Sequence, residues 1–190
     1  LKLSGAVNLG QLQAATRVPD GRVIAAGTNA FWFFDTTTLH WEQFGKQAVP
    51  STASSHPSLS FDPIGNRLLL FGGQSGASAA SELWALALDG STLTKLTTSG
   101  TAPAGRRYHG AVVMAGQLVI AGGVNGTDAS LVDVWAFDLQ TLAWRKLGDS
   151  APRMSPGVIA HGGEVWVVGG LHAFSGGGEA TIDAFTLSSG

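Results

Sequence analysis

The sequence predicts an all-β protein built by repeating one small antiparallel sheet. Two observations carry this. Twenty-seven of the 190 residues are glycine, roughly twice ordinary usage, and they show no Gly-X-Y period. A chain that turns so often must use short strands. The second observation is a recurring apolar run that ends in a diglycine: Asn66-Arg-Leu-Leu-Leu-Phe-Gly-Gly73, Gly116-Gln-Leu-Val-Ile-Ala-Gly-Gly123 and Gly163-Glu-Val-Trp-Val-Val-Gly-Gly170. A weaker copy, Gly21-Arg-Val-Ile-Ala-Ala-Gly27, keeps one glycine.

From Gly27 to Gly72, Gly122 and Gly169 the steps are 45, 50 and 47 residues. A near-constant step of that length, with several strands in each unit, defines the blades of a β-propeller. Each unit opens with an apolar stretch (Gln13–Val18, Ser58–Phe61, Gly110–Met114, Gly157–Ala160), followed by a turn such as Asp20-Gly21, Gly65-Asn66 or Gly162-Gly163. Such pairs accept positive φ and close hairpins. The run ending in the diglycine is the second strand. After a variable loop comes a third strand bearing an aromatic: Phe31–Asp35, Glu82–Leu86, Val132–Asp138 and Thr181–Phe185. A fourth follows at Trp41–Phe44, Leu93–Leu96 and Trp144–Leu147. The period divides a single domain, 1–190, into blades at about 11–53, 54–104, 105–151 and 152–190 with 1–9. No helix longer than one turn is expected.

These residues resemble the kelch repeat, whose units carry a diglycine, a spaced aromatic on the third strand and a Trp on the fourth. Here those are Gly122-Gly123, Trp135 and Trp144, echoed by Gly72-Gly73 and Trp84. A shared Asp…Thr-Leu-x-Trp passage links the third and fourth strands at Asp35–Trp41 and Asp138–Trp144. The first unit lacks its second glycine, and Thr186 stands where the fourth unit would have its Asp. The resemblance implies four-stranded antiparallel blades whose tryptophans fill the space between sheets packed about 10 Å apart. The fourth unit has no fourth strand of its own, and Leu1–Gly5 resembles Trp144–Gly148. The N-terminal strand is therefore expected to complete the last blade beside Thr181–Leu187 and remove an open edge. A small four-bladed ring is the expectation, with a fragment or half of a larger assembly as alternatives, and self-association is open to the chain if it does not close the ring alone.

Composition narrows the function. A net charge of −2 and basic residues paired only at Arg106-Arg107 and Arg145-Lys146 give no basic stripe for nucleic acid. No apolar run is long enough for membrane insertion by a helix. With no cysteine, thiolate metal sites, disulfides and cysteine nucleophiles are excluded, and the compartment is left open. The resembling family includes galactose oxidase, whose copper site needs a cysteine-modified tyrosine, so that chemistry is excluded too. No diglycine opens a helix, which removes a nucleotide fingerprint. The five histidines form no ligand-spaced pair. No cofactor is expected.

What remains is binding on one propeller face. The segments leading into the first strands align as Gln11/Gln13, Ser54/His56, Arg107/His109 and Arg153/Ser155. Arg107, Arg153, His56 and His109 gathered there suit a carboxylate or acidic peptide, since Arg offers a bidentate fork. The competing reading is that these side chains bond loop carbonyls and tie blades together. The long loop Leu171–Ala180 adds His172 and Phe174, with Phe174 either a contact residue or folded over its own blade. The expected partner is a protein or peptide. A carbohydrate-binding or sugar-modifying propeller of the lectin or epimerase kind is the alternative, and it lacks a carboxylate in the aligned mouth.

Overall fold

The computed structural model describes residues 11–172 and 176–187. The first blade holds β1 (Ala14–Arg17), β2 (Val23–Ala26), β3 (Ala30–Asp35) and β4 (His40–Ala48) as one antiparallel sheet in chain order. A 3-10 turn at Ser51–Ala53 leads on. The second blade joins β5 (Ser58–Asp62) and β6 (Arg67–Phe71). A small hairpin of β7 (Gln74–Ser75) and β8 (Ser78–Ala79) interrupts it before β9 (Leu83–Ala87) and β10 (Leu93–Lys95). The third blade is β11 (Gly110–Met114), β12 (Gln117–Ala121), β13 (Asp133–Asp138) and β14 (Trp144–Asp149). The fourth contains β15 (Gly157–His161), β16 (Glu164–Val168) and β19 (Ile182–Thr186), with a hairpin of β17 (Leu171–His172) and β18 (Gly177–Gly178) between them. The molecule is thus an all-β, four-bladed propeller. The proposed pairing of Leu1–Gly5 with the last blade lies outside the described residues.

The shared Asp…Thr-Leu-x-Trp passage has a plain physical cause. The Asp35 carboxylate accepts the backbone N–H of Thr37 and Thr38, and Asp138 accepts those of Gln140 and Thr141. Each turn then closes through a leucine in the left-handed region, Leu39 and Leu142, both at φ 57°. The N–H groups of Leu39 and Leu142 donate back to the Asp35 and Asp138 carbonyls at 2.8 and 3.0 Å, which closes the turn. These backbone donors also hold both carboxyls below the usual carboxylate range.

Alternation along the strands sends successive side chains to opposite sheet faces, and the cores lie between blades. Ile24, Phe31 and Phe44 of the first meet Leu59, Leu68, Leu70 and Leu86 of the second. Leu69, Phe71 and Leu83 meet Leu118, Ile120, Phe137 and Trp144 of the third. Val119, Ala121, Val134 and Ala136 meet Val165 and Val167 of the fourth. Trp84 and Trp135 pack against these cores as expected, each donating its indole N–H to a carboxylate two residues earlier, Glu82 at 3.2 Å and Asp133 at 2.7 Å.

The diglycines serve close approach. Gly73 N–H donates to Arg106 O at 2.9 Å, and Gly123 N–H to Arg153 O at 2.8 Å. A Cβ on Gly72 or Gly122 would stand 2.6 Å from those same carbonyl oxygens. Gly72-Gly73 and Gly122-Gly123 are therefore sockets into which the next blade's lead-in segment fits.

Candidate functional site

The first strands of neighbouring blades pack side by side, and their lead-in segments converge at one mouth. Antiparallel bridges Ser55–Gln74, Arg107–Val124 and Met154–Leu171 fasten each lead-in to the loop after the second strand of its own blade. The segments are also chained to one another. His56 N–H donates to Gln13 Oε1 at 3.1 Å, Tyr108 N–H to His56 O at 3.3 Å, and Ser155 N–H to Tyr108 O at 2.7 Å. His56, Tyr108 and Ser155 share a left-handed backbone, with φ of 51°, 55° and 52°. The structure therefore aligns His56, Tyr108 and Ser155, and two residues earlier Ser54, Arg106 and Arg153. This corrects the sequence alignment, which set Arg107 opposite Arg153.

That shift of one residue separates the two arginines by role. Arg153 is fully buried. It donates to Ala151 O, Val167 O, Gly169 O, Thr181 O, Thr181 Oγ1 and the Asp183 carboxylate. Its guanidinium is enclosed by backbone and has the tying role, so it is not presented at the mouth. Arg106, also fully buried, is its counterpart. It donates to Ala104 O at 3.1 Å, Gly122 O at 3.0 Å and Asp133 Oδ2 at 2.9 Å. Burial alone would push the Asp133 carboxyl up, but the hydrogen bond and charge of Arg106, with the Trp135 bond, more than offset it and hold it low. The missed signal was countable: Arg106 and Arg153 each stand 16 residues before the first glycine of their diglycine.

His109 also sits between blades. Its Nε2 is 2.8 Å from Ser58 Oγ, and its ring meets Phe71 edge-on at 5.3 Å. Burial, aided by the Arg106 charge, pushes its pKa down to about 3, so the ring is neutral.

At the mouth itself stand Arg107, Tyr108 and His56. The Arg107 guanidinium lies 4.9 Å from the centre of the Tyr108 ring and pairs with the Asp128 carboxylate. The Tyr108 ring lies 3.9 Å from the His56 ring, tilted by 32°. His56 Nδ1 is 2.7 Å from Ser55 Oγ, and burial, with Arg107 nearby, lowers its pKa. A cavity of about 260 Å³ opens here, lined by Gln13, His56, Pro57, Tyr108, His109, Ser155 and Pro156. His172 lies on the rim hairpin, with Nε2 3.3 Å from Glu179. Phe174 lies outside the described residues. Tyr108 is the mouth residue that sequence reasoning passed over; its place beside His56 becomes visible once the blades are aligned on the buried arginines.

Successive four-stranded antiparallel blades packed face to face, with their loops converging at one mouth, define a repeat-built β-propeller. The KLHDC2/KLHL20/DRC7 kelch-repeats domain matches residues 17–187, and the chain belongs to the kelch-repeat family. It is 29% identical over 161 residues to Host cell factor of Drosophila melanogaster, a match covering 70% of this chain and 11% of that protein. Kelch-like protein 25 is 40% identical over 65 residues in Xenopus tropicalis and 38% in Homo sapiens, in each case 34% of this chain and 11% of the relative. The chain thus matches only a small share of the length of these relatives.

Proposed function

We propose that this chain is a binding module that takes a protein or peptide segment carrying an acidic group at the mouth formed by His56, Tyr108 and Arg107. The observation that carries the reading is the stack of guanidinium, phenol and imidazole beside the 260 Å³ cavity. It combines flat apolar surface with a cation held in a fixed orientation, the pairing that recurs at recognition hot spots. Asp128, paired with Arg107 and half-exposed, occupies the position an incoming carboxylate would take. The ligand exchanges one carboxylate for another, so discrimination comes from the aromatic contacts as well as the charge. His172 extends the same surface at the rim.

The test is a fluorescence-anisotropy comparison of peptides rich in Asp and Glu with their Asn and Gln counterparts. The acidic set should bind more tightly. Arg107→Ala should weaken it by roughly 2–5 kcal/mol if the contact is desolvated on binding, and His56→Ala should weaken both sets. Equal binding of acidic and amide peptides would remove the charge-reading role. A glycan array that returned ligands while peptides bound to neither protein would move the assignment to carbohydrate.

A further inference from the structure

At the end of the sheets opposite the mouth, the second blade carries a cavity of about 370 Å³ on the face it turns toward the third. Asn66, Arg67, Ala85, Ala87, Thr92 and Thr94 line it. Strand pairing sets Ala85 between Leu69 and Thr94. The matching sets are Phe33 between Ile24 and Glu42 in the first blade, and Ala136 between Val119 and Arg145 in the third. Both of those blades fill the space. In the first, Phe33 occupies it, and the Arg22 guanidinium stands 5.8 and 5.7 Å from the ring centres of Phe33 and Phe44. In the third, Arg145 crosses it to donate to Gln117 Oε1 at 2.8 Å. In the second, two alanines and a threonine leave it open.

The cation in this cavity is held from behind. Arg67 Nε donates to Asp62 Oδ2 at 2.8 Å. The Asp62 carboxylate is fully buried and also accepts the N–H groups of Ile64 and Gly65, each at 2.9 Å. A Cβ on Gly65 would stand 2.5 Å from Arg67 Nε and 2.7 Å from Asp62 Oδ2, so the turn needs glycine to lie against the pair. The two terminal nitrogens of Arg67 have no hydrogen-bond partner among the described residues. The same holds for the hydroxyls of Thr92 and Thr94 and the side-chain amide of Asn66. Oriented donors therefore border an apolar floor of Ala85, Ala87 and Leu96.

We propose that this cavity binds a small organic carboxylate. The two terminal nitrogens of Arg67 take the carboxylate oxygens side by side, the fork geometry that a planar guanidinium offers. The Thr92 and Thr94 hydroxyls donate to the remaining lone pairs, and a short hydrocarbon part covers the alanine floor. The volume suits a small molecule. Asp62 cancels one unit of charge, so the pair presents no net positive charge, and a singly charged ligand fits better than a phosphate dianion. The site shares no residue with the mouth and does not rest on the binding reading given for it.

Titrating butyrate into the full 190-residue chain, labelled at its alanine methyls, should give saturable NMR shifts at Ala85 and Ala87. Butyramide, of the same size without the charge, should bind about tenfold more weakly or worse, and inorganic phosphate should displace butyrate poorly. Thr94→Phe fills the cavity from the outer strand, as Phe33 fills it in the first blade, and leaves the Asp62–Arg67 pair intact. It should abolish the shifts while circular dichroism shows unchanged strand content. Arg67→Gln should weaken binding by about tenfold or more; if that variant does not fold, Thr94→Phe decides. Arg107→Ala should bind butyrate at this site like wild type, which separates it from the mouth. Equal binding of butyrate and butyramide, or wild-type binding by Thr94→Phe, overturns the proposal. So do shifts that never saturate, the mark of an adventitious contact only, and phosphate that displaces butyrate at equal concentration.

Discussion

Arg106 and Arg153, 47 residues apart, occupy one place in consecutive blades. Each guanidinium is enclosed and donates to the carbonyl of the first glycine in its own blade's diglycine, Gly122 at 3.0 Å and Gly169 at 3.1 Å. Each backbone carbonyl accepts the N–H of the preceding blade's second glycine, Gly73 or Gly123. One residue thus fixes its own blade with its side chain and the blade before it with its backbone. A buried guanidinium is tolerated only when its donors are satisfied. Here the third strands supply carboxylates, Asp133 to Arg106 and Asp183 to Arg153.

Arg106→Ala should therefore destabilise the fold severely, by roughly 3–5 kcal/mol, because it leaves a partly buried Asp133 without its cation. Arg107→Ala, one residue on, loses a pair to a half-exposed Asp128 and should cost no more than about 1 kcal/mol. Urea unfolding midpoints of the two variants, measured side by side, decide it. Equal losses would defeat the division of roles.

Glycine substitutions test the socket. At Gly122, φ is 62° and an added Cβ would meet Arg153 O at 2.6 Å, so Gly122→Ala combines backbone strain with a clash between blades. Gly162 has nearly the same φ, 58°, but nothing within 4 Å. Gly162→Ala should cost only about 1–2 kcal/mol of left-handed strain, and Gly122→Ala clearly more. Thermal melts that fail to separate the two would show that the diglycine acts through conformation alone.

The blades were legible in the sequence because their signals are local: a diglycine, a turn pair and a spaced aromatic each report a backbone requirement within a few residues. The strands β2, β6, β12 and β16 end where the apolar runs meet glycine. The short hairpins at Gln74–Ala79 and Leu171–Gly178 were not legible, since pairs of two-residue strands leave no periodicity to detect. At the mouth, polar residues on loops marked the lead-in segments, but adjacent arginines at 106 and 107 offered two registers. The equal spacing of Arg106 and Arg153 from their diglycines selects one register, and burial bears it out: Arg106 is enclosed between blades while Arg107 lies over the Tyr108 ring. His109 was read as a mouth residue for the same reason; its chain position is at the opening, while its ring packs on Phe71 and Ser58.

The pH dependence of stability tests that placement. Burial, with the Arg106 charge nearby, pushes the His109 pKa from 6.5 down to about 3. His109 Nδ1 is buried with no hydrogen-bond partner among the described residues, so a proton there would have no acceptor. Above pH 6.5 the imidazole is neutral in both folded and unfolded chains, and its contribution is fully present. As pH falls from 6.5 toward 3, the unfolded chain takes up a proton that the folded chain refuses. Stability is then lost at up to about 1.4 kcal/mol per pH unit. Below the folded value both states are protonated and the loss levels off. His109→Gln keeps a polar partner for Ser58 but removes the titration, so its stability should fall less steeply between pH 6.5 and 4. Carboxylates titrate alike in both proteins and cancel in the difference. Urea midpoints at pH 7 and pH 5 for wild type and variant provide the measurement, and parallel pH profiles would place His109 in water rather than between the blades.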